Sequence, residues 1–203
     1  MLKLYEFPLC PYCQKVRVAL EEKGVEYERI FVDIRGKEQK RPSFLAMNPK
    51  GKVPVLIDDG LIVYESTIIN EYLDEKYGAP RLMPETPEGR AQARLWIDFA
   101  EGVFNEPWAA LHRQIRLTDE SERDESLIQE SRAELTKALK VLDSALEGKD
   151  FLAGDYSLAD SAFTPRIGAF DSLGIEIGGE LKNVGGWIGR IKMRKSYTTL
   201  MSR

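Results

Sequence analysis

Cys10 and Cys13 are the residues of this 203-residue chain whose type and spacing best fit them for chemistry. They stand in Cys10-Pro11-Tyr12-Cys13. Before them runs a strand-like alternation, Leu2-Lys3-Leu4-Tyr5, and a turn at Phe7-Pro8-Leu9-Cys10-Pro11 leads into them. After them Val16, Ala19 and Leu20 fall at i, i+3, i+4, one face of a helix. Cys10 therefore falls at or beside an N-cap, with free backbone N–H groups aimed at its sulfur. Their partial positive charge stabilises a thiolate. Pro11 suits the first helical position, where its missing N–H costs nothing. Cys-x-x-Cys motifs bring thiol pKa values down to roughly 3.5–7.5. Cys13 lies one turn on and on the same side, within reach of a reversible disulfide. Cys10 is then the attacking thiolate of thiol–disulfide exchange, and Cys13 is either a resolving thiol or a packed core residue.

Several other chemistries are excluded. A structural zinc site needs four ligands, and one histidine, His112, is all that accompanies the two cysteines, so no metal is expected. Ser-His-Asp catalysis would rest on His112 alone, which reads better as a surface or packing residue. A net charge of −4 argues against a nucleic-acid partner. No apolar run approaches the roughly 20 residues that span a bilayer, so no membrane partner is expected. The N-terminus enters strand-like sequence at once, and no signal peptide is read there. Apolar residues at 43% and charged residues at 31% describe a soluble globular chain with a real core.

Two further segments are candidates for binding. Val53-Pro54 precedes a β-run; a cis bond there would expose Val53 backbone groups to an extended peptide, which pairs as a strand does. Glu65-Ser66 ends a strand and begins a helix. Ser66 Oγ and the helix amides form a carboxylate site, and Glu65 beside them suits an ammonium, so together they suit the α-amino-acid end of a peptide.

The elements that position these residues alternate. Strand-like runs at Leu2–Tyr5 and Tyr27–Val32 flank the first helix, which Gly24 stops. Asn48-Pro49-Lys50-Gly51 is a turn. Val53–Ile57 and Leu61–Tyr64 form a hairpin around Asp58-Asp59-Gly60. Ser66 is expected to cap a helix whose inner face holds Ile69, Tyr72 and Leu73. Gly78, Pro80, Pro84 and Pro87 then mark a linker. Beyond it all is helical: Trp96, Phe99, Ala100 and Val103 share a face, Leu135, Leu139, Leu142 and Leu146 make a seam ending at Gly148, and Ser157 with Asp160 fits a capping box. Pro107 is expected to kink its helix. The fold class is an α/β N-terminal domain, residues 1–77, a linker, 78–87, and an all-α C-terminal domain, 88–203.

Read together, these segments resemble the cytosolic glutathione transferases over nearly the whole chain. The resemblance is carried by Cys10-Pro11-Tyr12-Cys13, by Asn48 through Leu56, by Tyr64-Glu65-Ser66, by Glu71 through Tyr77 with Leu82-Met83-Pro84, and by Ser157, Asp160 and Pro165. Among subclasses the cysteine motif is most similar to omega-like members and dehydroascorbate reductases, although Cys13 departs from them and resembles glutaredoxins. The resemblance implies a thioredoxin-like first domain and glutathione as co-substrate. It implies Cys10 as the catalytic residue, forming a mixed disulfide with glutathione. Pro54 would be cis, the Val53 backbone would pair with the cysteinyl unit, and Glu65 and Ser66 would bind the γ-glutamyl end. Tyr12 belongs to this glutathione site, and Lys40, with Arg41 or Lys52 as alternatives, would serve the glycyl end. A second-substrate pocket would be lined by Phe104, Trp108, Leu111 and His112, each of which also reads as helix packing. A cytoplasmic homodimer is implied. The activity expected is thiol transfer or reduction. The alternatives are conjugation of glutathione to electrophiles, or a non-catalytic regulator like stringent starvation protein A, which lacks the reactive cysteine.

Overall fold

A computed structural model describes residues 1–202. The first domain contains β1 (Leu2–Glu6), α1 (Pro11–Lys23), β2 (Glu28–Phe31), α2 (Pro42–Leu45), β3 (Val55–Asp58), β4 (Leu61–Tyr64) and α3 (Ser66–Lys76). Its sheet has the order β2-β1-β3-β4, with β1 parallel to β2 and antiparallel to β3. Alternation in β1 sends Leu2 and Leu4 to one face, where they meet Val16 and Leu20 of α1 and Ile69 and Leu73 of α3. The opposite face packs Val55 against Val32 and Phe44 of α2. The β3–β4 turn places Asp59 and Gly60 at φ 47° and 91°, the positive values that a two-residue hairpin loop demands. Gly24 closes α1 in the left-handed region, as its sequence position predicts.

Residues 78–86 are irregular but firmly tied down. The buried Lys23 ammonium donates to Asp74 Oδ1 at 3.0 Å, to the Pro80 carbonyl at 2.7 Å, and to the Gly78 carbonyl. The Asp74 carboxylate in turn accepts the Leu82 and Met83 amides at 2.6 and 3.1 Å. A buried ion pair whose remaining polar capacity is used by backbone fixes this passage to the first domain.

The helical domain contains α4 (Pro87–Phe99), α5 (Asn105–Arg116), α6 (Glu125–Ala145), α7 (Leu158–Ser161), α8 (Thr164–Ile167), α9 (Phe170–Leu173), α10 (Lys182–Lys192) and α11 (Lys195–Met201). Leu135, Leu139, Leu142 and Leu146 form the expected buried seam. The Ser157–Asp160 capping box is also present, and Asp160 accepts Trp187 Nε1 at 2.8 Å.

Two local expectations change. Ser66 does not cap α3; it is the first helical residue, and Glu65 takes the N-cap place without a side-chain cap bond. Between α4 and α5, Ala100–Phe104 forms a π-helical turn. Pro107 lies in the first turn of α5, where it offers no N–H to the Val103 carbonyl. The helical interruption thus comes upstream of Pro107. The wider turn takes Val103, which is 58% exposed, off the buried face that it shares with Ala100 in the sequence pattern.

The domains are clamped together. Arg194 meets Glu22 bidentately at 2.7 and 2.6 Å, and Arg94 meets Glu71 at 3.0 and 2.7 Å.

Candidate active site

Cys10 is the N-cap of α1, with extended φ and ψ of −76° and 119°, and Pro11 follows in the first turn. The Cys10 amide bonds the Phe7 carbonyl at 3.0 Å, and its own carbonyl accepts Gln14 N–H at 2.9 Å. Gln14 Nε2 and Arg17 Nη2 both donate to the Pro8 carbonyl at 3.1 Å, which pins the approach loop. Both cysteines are free thiols; Cys10 is partly exposed and Cys13 is buried. The Cys10 pKa is lowered from 9.0 to about 7. The Cys13 thiol, donating to the Cys10 sulfur, is the largest cause, and the amides of Cys13 and Tyr12 add to it, while burial and Glu6 oppose. Burial pushes the Cys13 thiol well above its ordinary value. The motif is therefore asymmetric: an accessible thiolate at Cys10, and at Cys13 a protonated thiol that steadies it.

A cleft of about 270 Å³ is lined by Tyr12, Asn48, Lys52, Val53, Pro54, Glu65, Ser66 and Glu101. Cys10 stands two residues before Tyr12 and is not itself in this lining. The Val53–Pro54 bond is cis. Asn48 shapes the neighbouring turn: its Nδ2 donates to the Lys52 carbonyl at 2.7 Å, and its Oδ1 accepts Lys50 N–H at 3.0 Å. Glu65 has φ 70° and ψ 114°. A non-glycine residue held there stores about 1–3 kcal/mol, and such positions cluster at functional sites. Its carbonyl accepts Ile69 N–H at 2.9 Å, and the amides of Ser66, Thr67 and Ile68 have no acceptor within the helix. The α3 N-terminus thus offers donors and positive dipole charge to an anion.

A polar network ties this cleft to the helical domain. Buried Lys15 donates to Thr67 Oγ1 and to Glu101 Oε1, both at 2.8 Å. Glu101 Oε2 lies 3.5 Å from Arg166 Nη2. Arg166 donates to Asn105 Oδ1 at 2.9 and 3.1 Å, and Asn105 Nδ2 reaches the Tyr12 hydroxyl at 3.2 Å. The guanidinium of Arg166 also lies 5.7 Å from the Tyr12 ring centre.

The structure brings together Tyr12, Lys52, Val53, Pro54, Glu65 and Ser66 in one cleft. Lys40 is not in that lining; its ammonium donates to the Lys50 carbonyl at 3.3 Å. Arg41 precedes α2 as its N-cap and is exposed. Lys52 is the basic residue that lines the cleft. Phe104, Trp108, Leu111 and His112 are not in that lining. Phe104 packs edge-on to Phe163 at 5.2 Å and near Phe170 at 6.3 Å, and Leu111 is fully buried. Trp108 belongs to the same helical core and stacks on half-buried His112 at 5.0 Å. Sequence reasoning missed Lys15, Glu101, Asn105 and Arg166. Its one nearby signal was Pro107, which marks the irregular turn that carries Glu101.

Comparison with known proteins agrees with this geometry. Residues 4–81 match the glutathione S-transferase N-terminal domain, and residues 99–195 match the C-terminal domain. The chain is 37% identical over 163 residues to glutathione S-transferase F10 of Arabidopsis thaliana, covering 78% of this chain and 76% of that protein. Among solved structures, glutathione transferase F7 from Populus trichocarpa superposes with a TM-score of 0.88 at 27% identity, covering 100% of this chain and 98% of that one. A structure of glutathione S-transferase-I bound with lactoylglutathione gives a TM-score of 0.91 at 25% identity, covering 99% and 98%. These relatives are phi-class, F-type transferases, so the subclass is not specifically omega-like or dehydroascorbate-reductase-like. Two domain matches in chain order, a relative 37% identical over most of its length and a thioredoxin-like domain joined to a helical one establish that the chain belongs to the glutathione S-transferase family.

Proposed function

We propose that this protein is a glutathione-dependent thiol transferase whose nucleophile is the Cys10 thiolate. The observation that carries the reading is the Cys10 sulfur at the α1 N-cap, with its pKa brought to about 7 by the Cys13 thiol and the helix amides. About half of it is thiolate at neutral pH. In the first step Cys10–S⁻ attacks the glutathione sulfur of a mixed disulfide R–S–S–G. A Cys10–S–S–G bond forms and R–S⁻ leaves. A glutathione thiolate then attacks Cys10–S–S–G, releasing oxidised glutathione and restoring Cys10–S⁻. Cys13 is an alternative second nucleophile, giving a Cys10–Cys13 disulfide that two glutathiones reduce. Glutathione is placed with its cysteinyl backbone against Val53, its γ-glutamyl carboxylate at Ser66 and the α3 amides, and its glycyl carboxylate toward Lys52. Tyr12, which lines the cleft and accepts from Asn105 Nδ2, positions the motif.

A second reading, conjugation of glutathione to an electrophile, is favoured by one observation: the relatives are named S-transferases. A catalytic thiol works against it, since Cys10 would form a disulfide with glutathione where a hydroxyl would donate to its thiolate. A homodimer is part of the proposal. Exposed Ile68 and Leu95 on α3 and α4, helices linked by Glu71 and Arg94, support such a contact. The cytoplasm, a reducing compartment that keeps the dithiol free, is the location proposed.

The test is glutathione-dependent reduction of hydroxyethyl disulfide and of dehydroascorbate by the native protein, Cys10→Ser and Cys13→Ser. Turnover abolished in Cys10→Ser, with the fold intact, is the expected result. Loss in Cys10→Ser alone assigns a monothiol cycle; loss in both assigns the dithiol cycle. Substantial turnover in Cys10→Ser refutes the nucleophile. An inactive native protein that conjugates a chlorinated aromatic favours the second reading.

A further inference from the structure

We propose that a basic collar beside the cleft, built from residues 31–52, docks an acidic polypeptide that carries glutathione in mixed disulfide, so that the second substrate is a glutathionylated acidic protein. The inference deepens the thiol-transfer reading and rests on it. Residues 31–52 hold six cations, Arg35, Lys37, Lys40, Arg41, Lys50 and Lys52, against two carboxylates, Asp33 and Glu38. The whole chain carries a net −4, so this positive stretch stands against the charge of the rest.

The collar is not neutralised from within. All six cationic residues are exposed, and of the six only Lys50 forms an ion pair among the described residues, with Glu65 at 2.8 Å. Both carboxylates of the stretch are turned to backbone. Glu38 Oε2 accepts the Asp33 amide at 2.7 Å, and Asp33 Oδ1 accepts the Gly36 amide at 2.9 Å. Lys37 stands at φ 58°, a left-handed position that few residues other than glycine occupy. The chain thus holds an unpaired cation at a place where the backbone is strained, and such places cluster at functional sites.

The stretch runs alongside the site from end to end. At its start Phe31 meets Phe7, with ring centres 6.1 Å apart, and the Phe7 carbonyl accepts the Cys10 amide at 3.0 Å. In its middle Ile34 packs on the same apolar cluster as Val53 and Tyr64. Near its end Lys40 donates to the Lys50 carbonyl at 3.3 Å, and Lys52 lines the cleft. A substrate whose disulfide reaches Cys10 therefore lies beside the collar. Charge alone suits any polyanion. The thiolate adds a second requirement, a disulfide, and a polypeptide with acidic side chains around a modified cysteine meets both. Unpaired cations beside a cleft raise the local concentration and on-rate of such a substrate by about 10–10³-fold, and salt screens the effect. In the reaction Cys10–S⁻ attacks the glutathione sulfur of protein–S–S–G. Cys10–S–S–G forms, and the protein leaves as a thiolate that takes a proton from water. A glutathione thiolate then releases oxidised glutathione and restores Cys10–S⁻.

The experiment measures kcat/KM on three mixed disulfides of glutathione. Two are with peptides of equal length, one carrying glutamates and one lysines around the cysteine; the third is with mercaptoethanol. Each value is divided by the uncatalysed rate with glutathione, which removes differences in intrinsic reactivity. At about 20 mM ionic strength the native protein is expected to favour the acidic peptide by about 10-fold or more, and at about 0.5 M salt the two peptides should agree within about two-fold. The double variant Arg35→Glu/Lys37→Asp cancels the net charge of the collar, and Asp tolerates the left-handed position. It is expected to lose most of the preference and to keep native turnover of the mercaptoethanol disulfide, which also reports its fold. Equal rates on the two peptides overturn the docking assignment, as does a preference that persists at high salt or survives in the double variant. Should the variant misfold, the salt series on the native protein decides alone. A native protein without turnover of the mercaptoethanol disulfide refutes the thiol-transfer reading itself, and the docking assignment falls with it.

Discussion

Replacing Cys13 with alanine tests the electrostatic core of the proposed chemistry. The largest cause of the low Cys10 pKa is the hydrogen bond from the Cys13 thiol. A bond to a charged group is worth about 1.5–3 kcal/mol, and a thiol is a weak donor, so the low end applies. One pKa unit is 1.36 kcal/mol. Cys13→Ala should therefore raise the Cys10 pKa from about 7 to about 8. The Cys13 and Tyr12 amides that lower it remain, and so do the burial and Glu6 that raise it, so the lost thiol donor alone sets the change. The thiolate fraction at pH 7 falls from about a half to about a tenth. Each remaining thiolate, being more basic, reacts about three-fold faster. The net rate loss at pH 7 is thus only about two-fold, and a single-pH rate is a poor test. The titration midpoint is the diagnostic quantity. It is read from the pH dependence of Cys10 alkylation by iodoacetamide, followed by intact mass. Reactivity of the native protein should rise with pH through about 7 and be lost below it, since the depressed thiol reprotonates there. Cys13→Ser keeps a donor and should restore a midpoint near the native one. An unchanged midpoint in Cys13→Ala refutes the reasoning, and so does an equal rise in the serine and alanine variants.

Two further outcomes follow from the geometry. Asp160→Ala leaves the amides of Leu152 and Ser157 and the Trp187 indole N–H without their buried acceptor, and should cost at least about 3 kcal/mol in urea unfolding; a loss under about 1 kcal/mol would contradict the hydrogen-bond assignment. Lys50→Ala breaks only an exposed, solvent-screened pair with Glu65, so S-methylglutathione affinity should change by less than about two-fold in calorimetry; a ten-fold loss would make Lys50 a ligand group.

What was legible in the sequence was local. The β1–α1 junction was readable because Cys10, Pro11 and the Val16-Ala19-Leu20 stripe lie within one short window, and cap preferences act over three or four residues. The hairpin was readable from Asp59-Gly60, the capping box from Ser157 and Asp160, and the leucine seam from its spacing. The errors were of the same local scale. Ser66 has the residue type of a cap, yet Glu65 takes that place with a positive φ, freeing Ser66 and its amide for the cleft. Val103 obeys the helical period of Trp96 and Phe99, but a π-turn adds a residue and moves it to solvent.

The part of the site that sequence could not show is assembled across the chain. Lys15, Thr67, Glu101, Asn105 and Arg166 come from α1, α3, the π-turn, α5 and α8, and no spacing rule links them. Only packing of α1 against α8 turns them into one network, with both of its cations buried and its carboxylate open to the cleft. That division follows the physics. The nucleophile needs a helix terminus and one neighbouring thiol, which a four-residue motif provides. Selecting a zwitterionic ligand needs charges of both signs held rigidly apart, and rigidity requires burial between two domains. The helical domain therefore contributes more than a wall to the cleft: Glu101 lines it, and Arg166 with Asn105 carries the same network on to the Tyr12 hydroxyl, two residues from Cys10.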